Sequence, residues 1–292
     1  MKGEVAPFLK LRPDGRPRLM GIINTTPDSF HSPSRQSGVA AATELALQMW
    51  KSGADWVDVG GESTRPGADL VDEEVEAARV VPVIGSIAAA RRDFFAGGGK
   101  MESAMLISVD TRRPSVARAA LAAGADMVND VSGLRDAEMV DLVLEAGCAV
   151  CIMHMQGDPS SMQDNPEYSD IVAEVSKKLL ASAENLVHRG MDAELICIDP
   201  GIGFGKTLIH NLKLLQNPSD LRGGNGISVL WGASRKSMFK ELLGRQDSDD
   251  RLAGTLAVAA YGMAQGVDIL RVHDVEPHDD LLKTLGSLDG VE

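Results

Sequence analysis

The chain has 292 residues, enough for two average domains, although an α/β barrel commonly spends about 250 residues on a single one. Hydrophobic residues make up 44% and charged residues 24% of it, which excludes a disordered chain and allows a large buried core. The net charge of −13 argues against a nucleic-acid partner, since phosphate backbones are bound by basic surfaces, and any anionic ligand needs a locally positive pocket.

The N-terminal segment has no basic start followed by an apolar stretch of about 7 to 15 residues and a small-residue cleavage site, so no signal peptide is predicted. No apolar run reaches the roughly 18 residues of a membrane span, which argues against a membrane partner. The 3 cysteines follow no framework spacing, and the expectation is a cytoplasmic protein with free thiols. Cys148 and Cys151 form a C-x-x-C inside what reads as a strand. Residues three apart on a strand face opposite sides, so both are expected to be core cysteines rather than a redox or metal pair.

In chain order, short β-branched runs alternate with longer stretches of helical period. The predicted strands are Leu19–Asn24, Asp55–Gly60, Met105–Asp110, Asp126–Asp130, Ala149–His154, Leu195–Asp199, Ser228–Gly232 and Asp268–His273. Eight parallel strands with intervening helices predict an α/β fold, a (β/α)8 TIM barrel forming one domain over residues 19–292 after an N-terminal extension over 1–18. A doubly wound open sheet uses the same units. Gly53-Ala54-Asp55, Gly124-Ala125-Asp126 and Gly266-Val267-Asp268 each end a helical segment, where glycine supplies a left-handed cap and the chain turns into a strand. These triplets read as structural punctuation.

Every predicted strand ends in something polar, as a barrel active site requires. The positions are Asn24, Glu62-Ser63-Thr64-Arg65, Asp110, Asn129, His154, Asp199, Ser234-Arg235-Lys236-Ser237, Arg271 and His273. Asp110, Asn129 and Asp199 suit a flat heterocycle with amide-like N–H and C=O edges. The competing reading makes Asp110 a cap for the helix that begins near Pro114. Thr64, Arg65, Arg271 and His273 form a local anion site, and Asn24 could help hold a magnesium ion there. One or two of these residues, His154 and one asparagine, could instead be buried core polar groups satisfied by their neighbours.

The run from Asp199 to Thr207 misses a nucleotide phosphate loop because Pro200 occupies a required glycine position. Its glycines let the backbone pass close to a ligand, with Phe204 as an apolar wall. Lys236 is either a Schiff-base lysine or a charged donor to the ligand. Arg235 beside it would depress its pKa, whereas Asp199 and Asp110 would oppose that.

Taken in order, several segments resemble the dihydropteroate synthases of the pterin-binding family. They are Met20-Gly21-Ile22-Ile23-Asn24-Thr25-Thr26-Pro27-Asp28-Ser29-Phe30, Asp58-Val59-Gly60-Gly61-Glu62-Ser63-Thr64-Arg65-Pro66-Gly67, Ser108-Val109-Asp110-Thr111, Asn129-Asp130-Val131-Ser132-Gly133, Met153-His154-Met155-Gln156-Gly157, the Asp199 to Lys206 loop, Ser234-Arg235-Lys236-Ser237 and Arg271-Val272-His273-Asp274. The resemblance implies a magnesium-assisted condensation of 6-hydroxymethyl-7,8-dihydropterin diphosphate with 4-aminobenzoate, usually by a homodimer. It implies that Asp110, Asn129, Met153, Asp199, Gly232 and Lys236 bind the pterin. Asn24, Thr64, Arg65, Arg271 and His273 would bind diphosphate and magnesium, with Asn24 as the metal ligand. Thr64, Pro66, Phe204, Lys236 and Ser237 would flank the aminobenzoate, and Asp110, Lys236, Arg271 and His273 would be catalytic.

On a dissociative path the exocyclic methylene becomes cationic, and Asp110 is the expected stabiliser. After Phe30 the chain departs from the family's usual pattern with His31-Ser32-Pro33-Ser34-Arg35, and it carries Thr25 and Ile202 where valine and phenylalanine are frequent. The alternatives are a corrinoid-dependent methyltransferase of the same superfamily, a Schiff-base barrel aldolase and a non-catalytic pterin-binding protein.

Overall fold

Each apolar run of the sequence becomes a parallel strand, and the strands close on themselves in chain order. The computed structural model describes residues 5–25, 35–63, 71–99, 104–158, 161–222 and 227–289. The strands are β1 (Arg18–Asn24), β2 (Trp56–Gly60), β3 (Leu106–Asp110), β4 (Met127–Asp130), β5 (Ala149–Met153), β6 (Ile196–Asp199), β7 (Ser228–Trp231) and β8 (Ile269–Val272). They form a closed barrel sealed by β1 against β8, with Arg18 opposite Ile269 and Gly21 opposite Val272. Strands covered on both faces have little room for alternation, which is why they read as continuous hydrophobic runs.

The helices are α1 (Arg35–Lys51), α2 (Glu73–Ala96), α3 (Pro114–Ala123), α4 (Ala137–Ala146), α5 (Ile171–His188), α6 (Leu208–Gln216), α7 (Pro218–Arg222), α8 (Met238–Leu243), α9 (Leu252–Ala264) and α10 (Val275–Asp289). Local chemistry starts several of them. Asp136 and Asp170 accept backbone N–H groups at the starts of α4 and α5, and Thr207 with His210 makes a reciprocal capping box on α6. Among the described residues, no helix is long and apolar enough to cross a membrane.

The three Gly-x-Asp triplets do more than turn the chain. Gly53, Gly124 and Gly266 all have positive φ, and each following aspartate accepts a backbone N–H from a neighbouring strand while pairing with an arginine. Asp55 takes Leu19 N and the guanidinium of Arg18. Asp126 takes Ile107 N and Arg91, and Asp268 takes Val229 N and Arg222. One device recurs three times at the N-terminal rim, tying adjacent strands together. Removing a charge-assisted pair of this kind costs about 2 kcal/mol. Asp126→Ala is therefore expected to lower the unfolding free energy by that amount while leaving ligand affinity at the opposite rim unchanged, as urea unfolding and binding calorimetry would show.

Residues 5–18 lie against the same rim. Leu9 is fully buried, Trp56 Nε1 donates to Phe8 O at 2.9 Å, and the Arg18 guanidinium lies 4.8 Å from the Phe8 ring centroid. Some sequence expectations need adjustment. His154, Gly232 and His273 are not strand residues, since β5, β7 and β8 end one position earlier. Cys148 precedes β5 and is half-buried, so only Cys151 is a core thiol of the pair. The strand partner of Cys151 is Cys197, directly across β6.

Candidate active site

The strand ends converge on one charged cluster at the C-terminal mouth. The register sets Asp110 on β3 beside Gly60 on β2 and Asn129 on β4. Arg271 on β8 reaches across the interior: its Nη2 donates to Asp110 Oδ2 at 2.8 Å and its Nε to Asp58 Oδ2 at 2.6 Å. The same Asp58 oxygen accepts Asn129 Nδ2 at 2.9 Å. Asp110 therefore does not cap α3, whose cap position is Arg113. Nor is Arg271 purely an anion donor, because two carboxylates already hold its guanidinium.

Burial dominates the electrostatics of this cluster. It pushes the Asp110 carboxyl up to about 7, against the opposing pull of Arg271 and with help from the neighbouring charge of Asp58. Burial likewise raises Asp199, which Lys236, the Gly201 N–H and Arg271 counteract. Arg271 is shifted upward despite its burial, because Asp58 and Asp110 flank it, and it stays charged at any working pH.

The β6–α6 loop brings the second half of the site. Gly201 N donates to Asp199 Oδ1 at 2.7 Å, which turns the backbone sharply at Gly201 (φ +69), where a Cβ would lie 1.9 Å from His154 O. Carbonyls along the loop are then taken in sequence by four different side chains. Lys236 donates to Ile202 O, Gln163 to Gly203 O, Lys206 to Phe204 O and Tyr168 to Gly205 O. Phe204 is thereby presented against Val131, Met153, Met155 and Met162, a small apolar cluster separate from the main core. Lys236 Nζ sits 4.3 Å from the Phe204 ring centroid.

Lys206 does not point outward as a phosphate-loop lysine would. Its Nζ is 3.2 Å from His154 O and 3.1 Å from His154 Nδ1, so it staples the β5 and β6 loops together. Burial lowers Lys206 to about 7 and His154 to about 3. A neutral, hydrogen-bonded His154 is a core histidine, as the structural reading of the sequence allowed.

Lys236 is lowered to about 8, by burial first and by Arg271 among its neighbours, with Asp199 and Asp110 opposing. The expectation that Arg235 depresses it is overturned. Arg235 has φ +56, and this left-handed turn sends consecutive side chains to different elements. Arg235 pairs with Asp274 and Asp249, Ser234 Oγ accepts His273 N at 3.2 Å and lies 3.1 Å from His273 Nδ1, and Lys236 turns toward the β6 loop.

Asn24 closes β1 opposite Gly60. Met153 is buried, and Gly232 leaves a slot that a Cβ would narrow to 3.4 Å from Asp199 Oδ2. Ser237 is exposed on the rim and makes no side-chain cap bond to α8. Thr64, Arg65, Pro66 and the divergent stretch from His31 to Ser34 lie outside the described residues. Glu62 proves to be loop scaffolding: it pairs with Arg112 and Arg113 and accepts Val71 N. Sequence reasoning passed over Asp58, although a carboxylate within an otherwise apolar strand is itself a signal, since such a group needs buried partners.

A barrel mouth with three carboxylates, an amide, a lysine and an arginine around an apolar slot defines a barrel enzyme for a flat polar heterocycle. The comparisons agree. The family model described as pterin binding enzyme matches residues 20–273. The dihydropteroate synthase of Neisseria meningitidis serogroup C is 43% identical over 280 residues, covering 94% of this chain and 93% of that protein. The structure of Xanthomonas albilineans dihydropteroate synthase with 4-aminobenzoic acid superposes with a TM-score of 0.83 at 41% identity, covering 95% of this chain and 94% of that one. The same enzyme in complex with 7,8-dihydropteroate gives 0.82 at 37% identity, over 96% and 97% of the two chains. The chain belongs to the pterin-binding enzyme family, among its dihydropteroate synthases.

Proposed function

We propose that this chain condenses 6-hydroxymethyl-7,8-dihydropterin diphosphate with 4-aminobenzoate, giving 7,8-dihydropteroate and diphosphate. The carrying observation is the meeting of Asp110, Asn129, Asp199, Lys236 and Arg271 at one mouth. Asp199, Asn129 and Lys236 match the donor and acceptor edges of a pterin, in a slot between Met153 and Gly232. Arg271 and His273, with Asn24, Thr64 and Arg65, take the diphosphate. Phe204 and Lys236 flank the aminobenzoate with Thr64, Pro66 and Ser237.

In the reaction the bond from the exocyclic methylene to the diphosphate oxygen breaks, and its electron pair leaves with the diphosphate. The amine nitrogen of aminobenzoate then supplies the pair for the new C–N bond and gives up a proton. An aromatic amine is a weak nucleophile, so departure runs ahead of attack. Asp110 supplies negative charge where the methylene turns cationic.

Magnesium fits a site of this chemistry. The Asn24 amide oxygen at the end of β1 is a hard ligand of the kind this ion accepts and would hold it. When bound, the ion neutralises charge developing on the leaving diphosphate. Lys236 donates to Ile202 O and lies against Phe204, which favours a charged donor over a Schiff-base amine.

A cytoplasmic location accords with free cysteines. A homodimer accords with the exposed Ile209, Leu242, Leu243 and Tyr261 on α6, α8 and α9. Incubation with the pterin diphosphate, 4-aminobenzoate and magnesium is expected to yield dihydropteroate and diphosphate in equal amounts. The same sample should show twice the chain mass by light scattering. Folded protein that makes no product overturns the assignment, and a monomer overturns the dimer.

A further inference from the structure

We propose that Asp58 is a positioning residue that sets the pterin specificity of the mouth from beneath, by holding Asn129 and Arg271 in their binding orientations before any ligand arrives. The inference rests on the pterin reading of the site. Asp58 is fully buried and lies two residues before Gly60 on β2, whose register partner is Asp110. At the usual rise of a strand its backbone therefore lies about 6 to 7 Å below the level of Asp110, and its carboxylate is covered by the side chains of Asn129 and Arg271.

One of its two carboxylate oxygens, Oδ2, is shared by Asn129 Nδ2 at 2.9 Å and Arg271 Nε at 2.6 Å. A carboxylate only accepts, so it fixes which way the Asn129 amide faces. The Nδ2 side is committed to the floor, and Oδ1 remains as the amide's acceptor for a ring N–H. The Arg271 fork is fixed in the same way. With Nε on Asp58 and Nη2 on Asp110, its plane is set by two points, and Nη1 is the corner with no acceptor among the described residues. A planar cation held by two edges loses little freedom when it meets a ligand, and that preorganisation is where affinity is gained.

The alternative is that Asp58 merely fills and neutralises the barrel interior. Asp58→Asn keeps the shape and separates the two roles. Positioning predicts that 7,8-dihydropteroate, measured by calorimetry, binds about ten- to a hundred-fold more weakly. It also predicts that KM for the pterin diphosphate rises while KM for aminobenzoate stays within about threefold. In the Asn129→Ala background the share of the loss carried through Asn129 should vanish and only the share carried through Arg271 should remain, so the two substitutions are less than additive.

Unchanged dihydropteroate affinity in folded Asp58→Asn overturns the inference, as does strict additivity with Asn129→Ala. Should Asp58→Asn fail to fold, the Arg271 Nε–H resonance of the ligand-free native enzyme decides, assigned from its loss in Arg271→Lys. Slow solvent exchange supports a preset guanidinium, and fast exchange that slows only on ligand binding overturns it. Native protein that binds no dihydropteroate would instead refute the pterin reading itself.

Discussion

Replacing Asp110 by asparagine is expected to lower kcat by about a hundred- to a thousand-fold, with KM for aminobenzoate nearly unchanged. The substitution keeps the volume and an acceptor for Arg271 Nη2, which lies 2.8 Å from Asp110 Oδ2, but removes the charge that meets the developing methylene cation. The pH profile gives a second readout. Burial raises Asp110 to about 7 and lowers Lys236 to about 8. The active form needs Asp110 ionised and Lys236 protonated. Native kcat/KM should therefore climb as pH rises through about 7 and fall beyond about 8, a narrow bell. In Asp110→Asn the acidic limb disappears and the alkaline limb stays. Undiminished turnover in the variant, or an acidic limb that survives it, sinks this role for Asp110.

The barrel was legible because its strands are covered on both faces and so leave an uninterrupted apolar trace. Strand ends came within a residue or so of those found, and three of the polar groups named at those ends, Asp110, Asn129 and Arg271, are joined at one mouth through Asp58. What the sequence withheld is non-local. Asp58 finds its partners 71 and 213 positions away, and no local pattern announces such a contact. The direction of Arg235 depends on one left-handed residue, and no pattern of charges predicts a positive φ at an arginine. The same turn explains how Ser234, Arg235 and Lys236, adjacent in sequence, serve three different purposes. The Gly-x-Asp triplets were recognised as turns, yet their aspartates carry the strand-to-strand latches because arginines arrive from elsewhere in the fold.

These particulars describe a molecule with opposite priorities at its two rims. At the N-terminal rim, aspartates are matched with arginines and backbone N–H groups, and the result is stability. At the C-terminal mouth, among the described residues, the carboxylates of Asp58, Asp110 and Asp199 outnumber the cations Arg271 and Lys236, with Lys206 occupied in stapling loops. Burial without full compensation is what raises Asp110 and Asp199. Sites that must bind charge commonly retain such imbalance, since complete internal pairing would leave little for the ligand.

Arg271→Met tests that imbalance most severely. Native Arg271 stands between Asp58 and Asp110, and methionine leaves both carboxylates buried without their cation. Breaking a buried pair in this way costs about 3–5 kcal/mol, and diphosphate affinity should fall with it. The sign of the pH dependence follows from Asp110. Its folded pKa lies above its unfolded value, so native stability falls as pH rises from about 4 to about 7 and then levels off. Arg271 is the group that pulls the Asp110 pKa down, so its removal extends the declining range to higher pH. The deficit in unfolding free energy relative to the native protein is thus expected to be smallest near pH 6 and to widen above pH 7, at about 1.4 kcal/mol per pH unit while it lasts. Calorimetry at pH 6, 7 and 8 decides the matter. A deficit that is constant, or that narrows toward pH 8, means that Arg271 does not hold Asp110 in its ionised form.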